Sequence, residues 1–221
     1  METELNASGY FFNDTIYNKE FEEILSKITL CYKLMKSNNE NIPLNDENGI
    51  RDILLLKYLK NETIKKTTGI ENYLFDRETS EDKSTGRVDI RIIPINPFIN
   101  DEAYYIIECK RLDNRAKRGT SGLNAEYIKN GINRFVTEKY TSYFKTNAMI
   151  GFVVEQMDIH SNISDINFLL KSEFKNINID SKVTKEYFIP EFEFHYSSKH
   201  TSNNKSKIKL YHLMFDFSDN L

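Results

Sequence analysis

Residues 86–112 read GRVDIRIIPINPFINDEAYYIIECKRL. Val88, Ile90 and Ile92 alternate with Arg87, Asp89 and Arg91, and a period of two marks a half-buried strand. Asn96, Pro97, Asn100 and Asp101 break the run, as turn residues do. From Tyr104 to Leu112 the alternation resumes. Tyr104, Ile106, Glu108 and Lys110 fall on one face; Tyr105, Ile107, Cys109 and Arg111 fall on the other. Paired as a hairpin, the two strands bring Asp89 beside Glu108 and Lys110 at the end of an apolar strand. Burying charge is costly unless it is paired or metal-bound, so three such groups together need a partner or a task. The competing description is three solvated charges at strand ends.

Paired carboxylates hold a hard divalent cation through oxygen. Such an ion polarises a phosphate and acidifies water, and a neighbouring ammonium stabilises charge building on the phosphate. Val88-Asp89, an intervening stretch and Glu108-Cys109-Lys110 resemble the PD-(D/E)XK motif of the restriction-endonuclease-like nuclease superfamily. Val88 stands where the motif has proline, a departure many members share. The resemblance implies that Asp89 and Glu108 bind Mg2+ or Mn2+, with the backbone carbonyl of Cys109 as a further ligand. It implies that Lys110 orients or activates the attacking water, or stabilises the phosphorus centre. The implied activity is metal-dependent endonuclease cleavage of phosphodiester bonds, of DNA before RNA, in defence against phage or mobile elements.

Working outward, Phe21, Ile24, Leu25, Ile28, Cys31, Tyr32 and Met35 recur at helical spacing, which predicts an amphipathic helix over 19–36. Residues 1 to about 18 read as a loose arm. Asn45-Asp46-Glu47 opens a second helix over 46–60. Glu47, Ile50, Leu54 and Tyr58 share its stripe. In the superfamily a glutamate on this helix often points into the site, so Glu47 is a candidate fourth catalytic and metal-binding residue, ahead of Asp46 and Asp52. The alternative is that Asp46 and Glu47 only complement the helix dipole. Residues 70–78 predict a first strand, followed by a polar loop at 79–85; Glu78 lies near enough to be considered. After Lys110 the loop RLDNRAKRGTSGLN sets Arg111, Arg115, Lys117 and Arg118 against Asp113 alone. Beside a metal site it would grip a nucleic-acid backbone; otherwise it is a solvated loop. A helix is predicted over 124–142, where mid-helix Gly131 implies close packing on the sheet. Asn124, Tyr127 and Arg134 are the side chains on it that could approach the site. The apolar run 147–155 reads as an interior strand parallel to the Glu108 strand.

This order is similar to the αβββαβ core of the superfamily over about residues 46–155. The expected fold is therefore α/β: one domain over 1–221, a mixed central sheet flanked by helices, an added N-terminal helix, and a C-terminal helix and β-hairpin over 164–217. In that tail a helix is predicted over 164–176. Phe188, Phe192, Phe194 and Tyr196 then alternate, as do Tyr211, Leu213, Phe215 and Phe217, with a polar linker at 197–206.

The 221 residues are 39% hydrophobic and 13% aromatic, enough for a substantial core, and carry a net charge of −3. No global basic field advertises nucleic acid, so any attraction to phosphate must be local. Cys31 and Cys109, far apart and on apolar faces, read as buried free thiols. The first residues lack a signal-peptide pattern and no stretch approaches a membrane span, so a cytoplasmic protein with no membrane partner is expected. His160, His195, His200 and His212 lack zinc spacing. There is no phosphate-cradling glycine loop, GxSxG elbow or dinucleotide fingerprint. Without a separate recognition domain, a homodimer or a companion protein subunit is expected. The rival reading is a non-catalytic binding or scaffold subunit that keeps the fold.

Overall fold

The computed structural model describes residues 12–77, 88–95, 103–140 and 144–220. The two alternating runs are paired strands: β2 (Ile90–Pro94) lies antiparallel to β3 (Tyr105–Leu112), with Ile90 opposite Ile107 and Ile92 opposite Tyr105. Residues 78–87 and 96–102, and with them Glu78, Arg87 and the expected turn, lie outside the described residues. β1 (Tyr73–Arg77) pairs antiparallel with β2, Phe75 opposite Ile92. β4 (Thr146–Val153) runs parallel to β3 and is buried along its whole length, which explains its unbroken apolar composition. β7 (Lys207–Asp216) adds parallel to β4, and β6 (His195–Thr201) and β5 (Ile179–Lys185) follow antiparallel. The result is a seven-stranded mixed sheet in the order β1-β2-β3-β4-β7-β6-β5.

Helices cover both faces. On one face, α1 (Phe12–Ser37) buries the predicted Phe21–Met35 stripe against Tyr105, Ile107, Cys109, Tyr211 and Phe215. Phe21 stacks on Tyr105 with ring centroids 4.4 Å apart. α2 (Glu47–Asp52) continues as a π-helical segment, Ile53–Leu59, and buries Ile50, Leu54, Leu55 and Tyr58 in the same cluster. α3 (Glu62–Thr68) completes that layer. On the other face, α4 (Leu123–Tyr127), a π-helical segment (Ile128–Ile132) and α5 (Asn133–Val136) form the crossover between β3 and β4. α6 (Ile159–Ser172) packs beside them over Ile106, Met149, Val153, Leu210 and Met214. Among the described residues, no helix is long and apolar enough to cross a membrane. Cys31 and Cys109 are buried free thiols, and burial pushes the Cys31 thiol up to about 11 despite its hydrogen bond to Thr68.

Several boundaries differ from the sequence reading. Residues 12–18 are helical rather than loose, because tertiary contacts extend α1 backwards: Tyr17 packs on Phe144 and the Thr146 hydroxyl hydrogen-bonds the Asn18 side chain. The 124–142 helix stops at Val136. The 164–176 helix starts at Ile159, where Asp158 caps it by accepting from the Ser161 N–H at 3.0 Å, and ends at Ser172. The run 188–194 is not strand; Pro190 and Glu191, the latter at φ 57°, form a turn before β6 begins at His195. α3 and β5 were not foreseen. The C-terminal hairpin extends the sheet, with β7 rather than β6 joining the core.

Gly131 answers to a close approach. A Cβ there would lie 2.3 Å from the Met149 methyl of β4 and 3.7 Å from Lys110 Cγ. The crossover helix thus sits directly on the strand pair that carries Lys110.

Candidate active site

Lys110 is the centre of the charged cluster. Its Nζ lies 2.7 Å from the Cys109 carbonyl, 2.9 Å from Glu108 Oε1, 3.0 Å from Glu47 Oε1 and 3.9 Å from Asp89 Oδ2. Each group arrives for a local reason. Glu108 and Lys110 alternate on the same face of β3. Asp89 precedes β2, one step beyond the Ile90–Ile107 pair, and its Oδ2 accepts the Cys109 N–H at 2.8 Å. Glu47 opens α2, and its second oxygen accepts the Arg111 N–H at 2.9 Å, fixing the helix start to β3.

Two arginines close the cluster. Arg51, one turn after Glu47 and 2% exposed, donates from Nη1 to Asp89 Oδ1 at 3.0 Å and from Nη2 to Asp52 Oδ1 at 2.9 Å. Arg134 on α5 donates to Glu108 Oε1 at 2.8 Å and to the Tyr140 hydroxyl at 2.6 Å. Tyr140 in turn donates to Glu108 Oε2 at 2.6 Å. Both Glu108 oxygens therefore have donors. Glu108 is fully buried, and its carboxyl is pushed up to about 7 by loss of water, then by the charge of Asp89, against the pull of Lys110, Tyr140 and Arg134. Burial works to lower the Lys110 ammonium, but the carboxylates of Glu108, Asp89 and Glu47 outweigh it and raise it well above the usual range. The amine is thus firmly charged while the deepest acid resists ionisation.

A polar cleft of about 430 Å³ opens onto these groups. Arg51, Lys110, Arg134 and Lys139 face Glu47 and Asp89 across it, four cations against two acids. A second cleft of about 420 Å³ shares Glu47, Lys110 and Arg134 and continues past Arg111 and Asn130.

No protein-family model, curated protein or solved structure matches the chain. Any role for the cluster must be argued from its own geometry.

Oxygens of Glu47, Asp89 and Glu108 and the Cys109 carbonyl surround the Lys110 ammonium, and carboxylate and carbonyl oxygens are the donors that suit Mg2+ or Mn2+. At present the ammonium holds the position between them. Among the described residues, no group of three or more His, Cys, Asp or Glu is placed to hold a metal ion. The donor chemistry fits a divalent ion, and its entry requires Lys110 Nζ to move off the centre.

Of the residues singled out from the sequence, Glu47, Asp89, Glu108, Cys109, Lys110 and Arg134 come together, and Arg111 lines the second cleft. Arg115, Lys117 and Arg118 do not. Arg115 pairs with Glu155, and Arg118 donates to Asp165 at 2.6 Å, with Lys117 3.8 Å from the same residue. The basic loop is answered by acids that follow β4 in the chain, not by Asp113 alone. Asp52 is turned to Arg51 and Arg77. Asn124 forms a buried reciprocal amide pair with Asn162, and Tyr127 hydrogen-bonds His212 at 2.8 Å. Sequence reasoning missed Arg51, Lys139 and Tyr140. The signal for Arg51 was its position four residues after Glu47, hence on the same helical face; for Tyr140 there was none.

Proposed function

We propose that the chain is a metal-dependent nuclease whose core is of the restriction-endonuclease-like type. Its α2–β1–β2–β3–crossover–β4 order supports that reading, as does the motif spanning Asp89 to Lys110. The observation that carries it is the convergence of Glu47, Asp89, Glu108 and the Cys109 carbonyl on Lys110 at the wall of a cation-rich cleft.

Asp89, Glu108 and the Cys109 carbonyl would hold the ion, with Glu47 completing the set; when bound, it supplies Lewis-acid polarisation of the phosphate and a more acidic water. The chain's own groups do the rest. Arg134 and Lys139 neutralise and orient the phosphodiester in the cleft. Lys110, displaced from the carboxylates, places its ammonium where it orients the attacking water and offsets charge building on the phosphoryl oxygens. Arg51 holds Asp89 in place through Oδ1. Water attacks phosphorus, the phosphorus–ester oxygen bond breaks, and the leaving oxygen takes up a proton. DNA is the proposed substrate ahead of RNA, and defence against phage or mobile elements is the proposed setting.

Internal neutralisation of the acids favours one alternative. Glu108 and Asp89 are already paired with Arg134, Lys110 and Arg51, as they would be in a non-catalytic scaffold. One experiment separates the two. Purified protein, Lys110→Ala and Asp89→Ala are offered plasmid, linear duplex, single-stranded DNA and RNA, with Mg2+, Mn2+ or chelator. Metal-dependent cleavage by the wild type that is lost in both variants supports the nuclease. No cleavage and no metal-induced thermal shift supports the scaffold.

A further inference from the structure

A third cleft lies at the other end of the sheet and shares no residue with the two at the Lys110 cluster. It encloses about 450 Å³, and Lys145, Lys199, Lys207 and Lys209 line it beside the buried ring of Phe144. Thr146, at its wall, lies five residues before Gly151, the partner of Lys110, or roughly 16 Å of strand away.

The lysines are placed against their own repulsion. Lys199 and Lys209 are direct cross-strand partners in the β6–β7 ladder, and like charges so placed oppose the pairing. Lys207 is two residues from Lys209 and shares its face. The compensation is partial. Lys209 lies 3.5 Å from Glu22 and Lys207 lies 3.0 Å from Asp180. Lys145 donates to the neutral Ser206 hydroxyl at 3.0 Å. Among the described residues, no carboxylate pairs with Lys199. Four lysines therefore line a cleft with one acid in its wall, Asp180, while the Lys209 ammonium also reaches Glu22 and the Tyr211 hydroxyl beyond it, in a protein whose net charge is −3. Lys145 also holds a left-handed backbone, φ 55°, at the lip of the cleft, a conformation that non-glycine residues adopt at a cost.

We propose that this cleft is a binding site for phosphate groups of nucleotide chemistry. Flexible ammonium groups act as point-charge partners for phosphate oxygens, and the buried Phe144 ring and the volume suit the attached nucleoside. The ligand is a free nucleoside triphosphate or successive phosphates of a nucleic-acid strand. The site stands whether or not the Lys110 cluster cleaves phosphodiesters.

The test uses the full chain with chelator present. Inorganic triphosphate, ATP and a short single-stranded oligonucleotide are titrated into wild type, Lys199→Ala/Lys207→Ala and Lys66→Ala. Lys199, Lys207 and Lys66 are exposed, so these variants keep the fold. The expected result is binding of at least one probe that weakens about tenfold in the double variant and is unchanged in Lys66→Ala. Binding of ATP and triphosphate without the oligonucleotide identifies a free nucleotide. Binding of the oligonucleotide, with a log–log salt slope shallower by about 1.4 in the double variant, identifies a strand. Absence of binding by all three probes overturns the proposal. So does binding that keeps its full affinity in the double variant, or that weakens equally in Lys66→Ala.

Discussion

Glu108→Gln is expected to make a more stable protein that lacks the proposed metal-dependent cleavage. Glu108 is fully buried, and its carboxyl is raised from 4.5 to about 7. At pH 8 the wild type carries an ionised acid in a site that disfavours it, at a cost of about 3 kcal/mol relative to the neutral form. A folded-state pKa above the unfolded value means that this contribution favours folding below 4.5 and is lost as pH rises through about 7. Glutamine removes the charge and keeps the shape, but it offers Arg134, Lys110 and Tyr140 one acceptor where glutamate offers two oxygens. Discounting for the lost acceptor leaves a gain of about 2 kcal/mol at pH 8, or roughly 4–8 °C in Tm for a chain of this size. At pH 5 most wild-type Glu108 is protonated, and the gain shrinks to within about 1 kcal/mol. Urea unfolding with chelator at both pH values measures this. Metal-dependent cleavage and metal-induced thermal shift, read on the same samples, should be absent. A variant destabilised equally at pH 5 and pH 8 would refute the argument that burial and Asp89 strain this acid.

Asn124 and Asn162 donate to each other at 2.8 and 3.0 Å in a buried pair; either alanine variant should cost about 1–3 kcal/mol, and the double variant much less than the sum, by denaturant melts. His200 and His212 are pushed down to about 4 and about 3, chiefly by burial. Their stabilisation is complete above 6.5 and lost as pH falls through those values, so His200→Asn/His212→Asn should flatten the acid limb of the stability curve while lowering stability at pH 7. Asp165→Asn should free Lys117 and Arg118 and tighten oligonucleotide binding roughly two- to fivefold; anisotropy showing unchanged affinity would remove the basic loop from the substrate path.

The sequence reveals those parts whose burial follows a simple period. β2 alternates because one of its faces is less deeply buried than the other, and although β3 is buried on both faces the period of two still places Glu108 and Lys110 together. Glu47 is readable because it heads an apolar helical stripe. The elements that escaped have no such period. α3 buries only Lys65 and Thr68 of its seven residues and is held by its ends: the Asn61 cap accepts from the Thr63 and Ile64 N–H groups, and Gly69 takes the left-handed conformation at φ 74°. β5 is an edge strand with two register irregularities and Val183 as its one buried residue. Tyr140 lies beyond the end of its helix, so its approach to Glu108 is set by where the chain turns after Val136. The acids that answer the basic loop, Glu155 and Asp165, are brought to it by the fold and are remote in sequence.

Both helices that serve the cluster pass through π-helical segments, Ile53–Leu59 after Arg51 and Ile128–Ile132 before Arg134. Such segments accommodate an extra residue within an α-helix. Each residue of a regular α-helix turns the chain by about 100°. The π segment takes up its extra residue so that the turns on either side keep their faces, so deleting one residue between Ile128 and Ile132 would restore regular winding and leave Arg134 on the Glu108 side, whereas a deletion in the regular turn after it would rotate Arg134 by about 100°. The helix therefore has one place, the π segment, where a one-residue change in length is absorbed. Among natural variants of this protein, single-residue gaps within 128–132 should keep the Arg134–Glu108 pair, and gaps elsewhere in this helix should accompany its loss.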